Sequence, residues 1–124
     1  MPEEKVREKS TEKETESIFD ENFLLERIGG NRDFYEEILR SFIEDTERLL
    51  SELKGYLESG EREKAERHAH SIKGAAANIG ATPLSRASLR VEKAARERRM
   101  GAAEKLFSDM NREFDRLREV LSLV

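Results

Sequence analysis

The stretch HAHSIKGAAANIG, residues 68–80, has the periodicity of a helix with two unlike sides. At about 100° per residue, the apolar side chains of this stretch and of the turn before it fall on one side: Ala65, Ile72, Ala76 and Ile79, with Ala69 at the margin. His70 points to the opposite side, and Gly80 supplies a C-terminal stop. We therefore predict a helix that buries one side in a core and presents His70 to solvent.

The predicted exposed side surrounds His70 with two cations, Arg67 and Lys73, and with two small residues, Gly74 and Ala77. An unperturbed imidazole titrates at about pH 6.5, so an exposed one is largely the free nucleophile at neutral pH. Phosphoryl transfer requires mainly positioning and nearby cations, and the small residues would leave room for an incoming loop. The pattern indicates a nucleophile kept open to a docking protein.

The composition favours one heavily charged helical domain. A chain of 124 residues is long enough for one core. Charged residues make up 40% of it and hydrophobic residues 36%, and it contains no Trp. The absence of Cys excludes disulfides and thiol chemistry. The net charge of -4 argues against general affinity for nucleic acid or for anionic membranes. Residues 61–100 differ, with ten Lys and Arg against five Glu. Because no segment resembles a membrane span or signal peptide, we expect a cytoplasmic protein.

Two helices are predicted before the histidine stretch. Residues 1–17 are almost wholly charged or small and polar, which indicates a flexible linker or tail. An apolar cluster over residues 18–28 predicts a short helix that stops at Gly29 and Gly30. Asn31 is then a suitable N-cap for a helix of about seven turns that ends at Gly60.

Two more helices are predicted after it. Thr82 and Pro83 suggest an N-cap followed by proline at the first helical position. That helix is expected to end near Met100 and Gly101, and a last one follows to residue 124. Short connections between long amphipathic helices make neighbours antiparallel. We therefore predict an all-α fold, in which residues 18–124 form an antiparallel up-down-up-down four-helix bundle with a short additional N-terminal helix across one end.

The run HSIKGAAANIG, residues 70–80, resembles the signature of histidine-containing phosphotransfer (HPt) domains, roughly H-x-[hydrophobic]-K-G-[small]-[small]-x-x-[hydrophobic]-G. Every specified position matches, and the resemblance extends over roughly residues 18–122. In that family the histidine takes a phosphoryl group from an aspartate of one response-regulator receiver domain and passes it to another. The resemblance implies a phosphorelay intermediate of two-component signalling, either free or as part of a larger hybrid histidine kinase.

By the same resemblance, His70 is the phosphoacceptor through its Nε2 atom, Lys73 steadies the phosphoryl group, and Gly74 leaves space for the receiver. The residues expected to border the docked receiver are Arg67, Ala77, Asn78, Phe23 and Leu24. The family's domains hold no ATP or metal themselves, because Mg²⁺ sits in the acidic pocket of the receiver. A monomer is expected, with no contact to nucleic acid or membrane.

Other residues are interpreted more plainly. His68 turns toward the apolar side and is predicted to be a packed or boundary histidine. A metal site of His68 and His70 is not expected, since ligands on one helical face are three or four residues apart. A solvated face, rather than a binding site, is the interpretation of Arg86, Arg90, Arg96, Arg98 and Arg99.

Three alternatives remain open. The chain could be the phosphoacceptor segment of a sensor histidine kinase, but those segments usually place an acidic residue directly after the histidine, where Ser71 stands, and no Gly-rich ATP-binding region follows. A chemotaxis-kinase phosphotransfer domain shares the motif and differs only in its flanking domains. The third alternative is a structural helical adaptor. On its own, the chain is expected to carry a phosphoryl group and not to be an enzyme.

Overall fold

The computed structural model describes residues 18–121, which form five helices and no strand. A short helix, α1, spans Glu21–Arg27, and it is followed by α2 over Arg32–Ser59, α3 over Arg62–Ile79, α4 over Thr82–Arg96 and α5 over Met100–Leu121. The predicted all-α class is confirmed. None of these five helices is long and apolar enough to cross a membrane. The tail predicted for residues 1–17 lies outside the described residues.

The helices α2 to α5 form a four-helix bundle. Side-chain contacts between α3 and α4 show that the two run in opposite directions, since partners later in α4 lie earlier in α3: Lys73 with Ser85, His70 with Glu92, and Glu66 with Arg96. The helix α5 packs against α4 and α2. Since α3 also packs between α2 and α4, α3 and α5 occupy diagonal corners of the bundle, as short connections dictate.

The core lies where the apolar stripes of the four long helices meet. Its fully buried large side chains include Tyr35, Leu53, Ile72, Leu84, Met110 and Leu117. The inner side of α3 is made mostly of fully buried alanines, Ala65, Ala69 and Ala76, whose small side chains allow α2 and α4 to approach closely. Protein cores are packed as densely as organic crystals, so the outer side of α3 rests on a rigid support.

Several predicted helix ends are confirmed. The Asn31 side chain accepts a hydrogen bond of 3.0 Å from the Phe34 amide, as expected of an N-cap. Helices α2 and α3 end at Gly60 and Gly80, whose φ angles of 73° and 84° lie in the left-handed region. The break at Gly29 and Gly30 separates α1 from α2 as predicted.

The predicted start of α4 is wrong by one residue. Ala81 is the N-cap, Thr82 is the first helical residue, and no side chain caps this end. Ala81 is fully buried, and its carbonyl accepts from the Ser85 amide, so packing places the boundary here. Pro83 still lies in the first turn, where its missing N–H costs nothing.

The predicted boundary near Met100 and Gly101 is also wrong. Helix α4 ends at Arg96, and Arg98 takes the left-handed conformation with φ of 63°. The amides of Arg98 and Arg99 donate to the carbonyls of Ala95 and Ala94. These bonds satisfy the helix end without glycine, at a cost of about 1 kcal/mol for a left-handed non-glycine residue. Gly101 lies within α5 instead.

Candidate functional site

His70 lies on the outer side of α3, and 64% of its side chain is exposed. The neighbouring Ala69 and Ile72 are fully buried, so the backbone beneath the imidazole is held by the core. The ring is not free, however, because its Nδ1 atom lies 2.8 Å from Glu92 Oε2 of helix α4. The predicted exposure of His70 is confirmed, and one of its two ring nitrogens is anchored.

Glu92 is the centre of this cluster, and its side chain is only 2% exposed. Besides His70 Nδ1, the Oε2 atom lies 2.8 Å from Arg96 Nη2, while Lys73 Nζ lies 2.8 Å from Oε1. Burying an unpaired carboxylate costs several kcal/mol. Here two permanent cations and a ring nitrogen offset that cost.

The protonation state of Glu92 determines which nitrogen of His70 is nucleophilic. Burial raises the pKa of the Glu92 carboxyl, but hydrogen bonds from Lys73 and His70 and their charges outweigh burial, so that pKa lies below its ordinary value of 4.5. At neutral pH the carboxylate is ionised and only accepts hydrogen bonds. The proton in the contact therefore belongs to Nδ1 of His70, and the lone pair of the neutral ring is on Nε2.

Further ion pairs hold Arg96, which contacts Glu92, in position. Arg96 Nε donates to Glu66 Oε2 over 3.1 Å, and Arg62 Nη1 donates to Glu66 Oε1 over 3.0 Å. Arg96 therefore bridges a carboxylate of α3 and one of α4. On the other side of the cluster, the Ser85 hydroxyl donates to the Lys73 carbonyl over 3.0 Å. These bonds link α3 to α4 on both sides of His70.

The other residues predicted around His70 have different environments. Arg67, Ala77 and Asn78 are exposed. The Lys73 side chain is only 27% exposed and lies against Glu92 rather than extending into water. Gly74 is half-buried, and a Cβ atom added to it would meet nothing within 4 Å. The surface beside His70 therefore has an open position that a partner could approach.

Helix α1 is attached to the C-terminal end of α3, close to this surface. The Asp20 amide donates to the Gly80 carbonyl over 3.0 Å, and the Asp20 side chain caps α1 through the Phe23 amide. Phe23 is 37% exposed, whereas Leu24 is 3% exposed and belongs to the core. The prediction that Leu24 borders a docked partner is therefore wrong, because its side chain packs inward.

His68 lies at the boundary of the core, as predicted. Its side chain is 22% exposed, its Nε2 atom lies 3.2 Å from Glu52 Oε1, and its ring meets Tyr56 edge-on with centroids 4.9 Å apart. The two histidines thus face different helices, α2 and α4. Within residues 18–121, no group of three or more His, Cys, Asp and Glu side chains is arranged to hold a metal ion.

Sequence reasoning missed Glu92 and its partner Arg96. A signal for Glu92 was present, because it stands beside Val91 and three residues before Ala95, both fully buried on the inner side of α4. A carboxylate at the margin of an apolar stripe requires a cationic partner. The pattern within α4, however, does not say which residue of α3 supplies it.

Comparison with known proteins agrees with this geometry. Residues 37–120 match the family model of the Hpt domain. The curated phosphorelay intermediate protein rdeA of Dictyostelium discoideum is 28% identical over 104 residues, which are 84% of this chain and 41% of that protein. The chain therefore spans about two-fifths of the length of this relative.

Solved structures show the same fold. The structure of histidine-containing phosphotransfer protein B (HptB) from Pseudomonas aeruginosa PAO1 is 29% identical with a TM-score of 0.80, covering 86% of this chain and 92% of that one. ZmHP2 from maize shares the fold at 23% identity, with a TM-score of 0.77 and coverage of 86% and 82%. Because the Hpt domain model matches residues 37–120, which are more than half of this chain, the chain belongs to the Hpt domain family.

Proposed function

We propose that this chain is a phosphorelay intermediate of two-component signalling, in which His70 takes a phosphoryl group from a receiver-domain aspartate and passes it to another receiver. The observation that supports this best is the exposed imidazole whose Nδ1 is held 2.8 Å from an ionised, buried Glu92. This contact leaves Nε2 as the nucleophile on an otherwise rigid surface. Membership of the Hpt domain family agrees with that chemistry.

The transfer step follows from the position of the ring proton on Nδ1 of His70. The Nε2 lone pair of His70 attacks the phosphorus of the aspartyl phosphate, the P–O bond to the aspartate breaks, and the aspartate leaves as a carboxylate. The ring then carries the phosphoryl group on Nε2 and a proton on Nδ1, so it is cationic, and the Glu92 carboxylate stabilises that charge. In the onward step the P–N bond breaks, its electron pair returns to Nε2, and the aspartate of the second receiver bonds to phosphorus.

The neighbouring residues are proposed to prepare this step. Lys73 lies one helical turn after His70, where its ammonium would approach the phosphoryl oxygens while remaining paired with Glu92. Gly74 provides clearance for the receiver, and the proposed docking surface includes Arg67, Ala77, Asn78 and Phe23. The chain itself supplies the nucleophile and its positioning. We assign Mg²⁺ and the remaining catalysis to the receiver, so the chain is a carrier rather than an enzyme.

The test is transfer of labelled phosphate from a phosphorylated receiver domain of the same genome. We expect an acid-labile, base-stable label on the unmodified chain and none on His70→Gln. His68→Gln is the matched control, since it changes the other histidine and should retain the label. Labelling that survives His70→Gln, or no labelling of the unmodified chain by any receiver of the genome, would overturn the proposal.

The kinase alternative requires labelling by ATP. We expect no label when the chain is incubated with ATP alone, whereas autophosphorylation would make it part of a kinase. Labelling by an ATP-bound kinase domain in trans, without transfer from any receiver, would favour the chemotaxis-kinase alternative. We further propose that the chain acts as a monomer in the cytoplasm, free or joined to a hybrid histidine kinase, which sedimentation and cell fractionation would test.

A further inference from the structure

A groove with a volume of about 410 Å³ runs between α2 and α5. The apolar side chains that line it are Leu39 and Ile43 of α2 and Leu121, the last described residue of α5. Among the neighbouring pairs of the four long helices, α2 and α5 pack least closely. The groove therefore lies where the bundle is least filled, and part of its apolar lining is open to a partner.

Four charged side chains border this groove. Three belong to α2, namely Glu36, Arg40 and Glu44, and the fourth is Arg118 of α5. The Arg118 side chain reaches across to α2, where its Nη1 atom lies 3.2 Å from Glu47 Oε1. The three side chains of α2 form no ion pair with one another or with any other residue of 18–121. Their charges are therefore available to a partner.

The order of these three charges is more informative than their lack of ion pairs, since several other exposed arginines within residues 18–121 also have none. Glu36, Arg40 and Glu44 follow one another at four-residue steps, so this border reads negative, positive, negative beside Leu39 and Ile43. In coiled coils, charges beside an apolar seam determine which partner helix is accepted. A helix that reads positive, negative, positive at the same steps meets an opposite charge at each position, in either direction.

We propose that the α2–α5 groove is a docking site for an amphipathic helix of a partner protein, with basic, acidic and basic residues at four-residue steps beside an apolar stripe. The stripe would cover Leu39, Ile43 and Leu121. Charge complementarity favours this occupant over a second copy of the chain, because two copies of α2 aligned over the same turns would place like charges opposite one another. Residues 1–17 contain Val6 as their only branched aliphatic residue, so they lack the apolar stripe.

The groove and His70 lie on different sides of the bundle. His70 belongs to α3 and faces α4 through Glu92, whereas α5 occupies the corner diagonal to α3. A helix bound in the groove would therefore leave the imidazole open, and it would hold the chain to a partner without blocking the chemistry of His70. The inference does not rest on the proposed function.

The size of the groove indicates a reversible contact. The charged positions of α2 extend over residues 36–44, which are about 12 Å of helix. Interfaces that bury less than about 1,200 Å² are typical of transient complexes. We therefore expect the charge order to determine selectivity, and the apolar stripe to contribute most of the affinity.

The experiment measures the binding of two fluorescent 18-residue helical peptides, made of Leu, Ala, Lys and Glu, to the whole chain by anisotropy. The first peptide has Lys, Glu and Lys at four-residue steps beside a Leu stripe, and the second has Glu, Lys and Glu there. Charged residues on the far side give both peptides the same net charge. The first should bind about tenfold more tightly than the second, and Ile43→Ala should weaken its binding about fivefold.

Reversal of the three charges on α2 tests their order directly. The combination of Glu36→Lys, Arg40→Glu and Glu44→Lys should make the chain prefer the second peptide. The matched control is Glu104→Lys, which changes the net charge by the same amount. Glu104 is exposed, and it lies about 25 Å from Leu121 along α5. This control should keep the preference for the first peptide.

Equal binding of the two peptides to the unmodified chain would overturn the inference, and this comparison needs no variant to fold. So would a preference for the first peptide that survives the charge reversal. Modification of His70 by diethyl pyrocarbonate, measured by mass spectrometry, should be the same with and without the first peptide, and protection of His70 would place the peptide elsewhere. Self-association that Ile43→Ala abolishes in sedimentation would assign the groove to a second copy and overturn the proposed occupant.

Discussion

Replacement of Glu92 by Gln tests whether the buried carboxylate determines which nitrogen of His70 attacks. The amide has nearly the same shape, but it lacks the charge and both donates and accepts hydrogen bonds. It can therefore hold either tautomer of the ring, whereas the carboxylate holds only the form with the proton on Nδ1. Glu92→Gln should increase the population that carries the proton on Nε2, which is not nucleophilic at that atom.

The magnitude follows from the contact that is lost. A hydrogen bond to a charged group contributes roughly 1.5 to 3 kcal/mol. Because 64% of the His70 side chain is exposed, water competes for the ring, and we take the lower end. About 1.4 kcal/mol corresponds to a tenfold change in rate, so phosphoryl transfer to His70 should slow about tenfold.

The assay is rapid-quench transfer from a phosphorylated receiver, together with ¹⁵N NMR of the His70 ring to count its tautomers. The matched control is Glu66→Gln, which removes a carboxylate bound to Arg96 and Arg62 but does not touch His70. This control should keep both the tautomer ratio and the transfer rate. The reasoning is refuted if Glu92→Gln keeps the ring proton on Nδ1 and transfers as fast as the control.

Three further results are expected. Gly80→Ala should lower the free energy of unfolding by about 2 kcal/mol, because Gly80 has φ of 84° and an added Cβ would lie 3.0 Å from the Asp20 carbonyl oxygen. The control Gly55→Ala, whose Cβ would meet nothing within 4 Å, should not lower it, and thermal unfolding of both variants measures the difference. Gly74→Ala should stabilise α3 by up to about 1 kcal/mol, and it should slow phosphoryl transfer from a receiver but not from phosphoramidate, a small phosphoryl donor that needs no docking surface. If the variant and the unmodified chain accepted phosphate from a receiver at the same rate, the role of Gly74 in clearance would be contradicted. The ionised form of Glu92 stabilises the fold, because the pKa of its carboxyl lies below 4.5 in the folded chain; this stabilisation is complete at pH values above 4.5 and is lost as the pH falls through the lower pKa of the folded chain. The difference in unfolding free energy between the unmodified chain and Glu92→Gln, measured by urea unfolding, should therefore become smaller at acidic pH. A difference that does not change with pH would count against the pairing.

Local features of the fold could be predicted because they depend on neighbours along the chain. The spacing of apolar residues identified every helix in the described residues, and Asn31, Gly60 and Gly80 identified three helix ends. The exposed position of His70 and the boundary position of His68 followed from the same periodicity. Each of these rests on a helix having a nearly constant angle per residue.

The features that were missed or misplaced depend on contacts between helices. Leu24 and Phe23 are adjacent apolar residues of α1, and only the docking of α1 shows that Leu24 enters the core and Phe23 stays partly exposed. Helix α4 ends at Arg96 and not near Gly101, because the amides of Arg98 and Arg99 donate to the carbonyls of Ala95 and Ala94 and complete that turn. The boundary between α4 and α5 is therefore set by the packing of these two helices and not by the position of Gly101.

The sequence by itself determined an all-α chain, the exposed side of α3, and a histidine followed by lysine and glycine at helical spacing. Only the tertiary structure decided that Glu92, 22 residues away, meets His70, and thereby which ring nitrogen is free to react. Helical periodicity specifies directions around one axis, but the register between two helices is set by the packing of the whole core. The nucleophile is therefore visible in the sequence, whereas the group that orients it is visible only in the bundle.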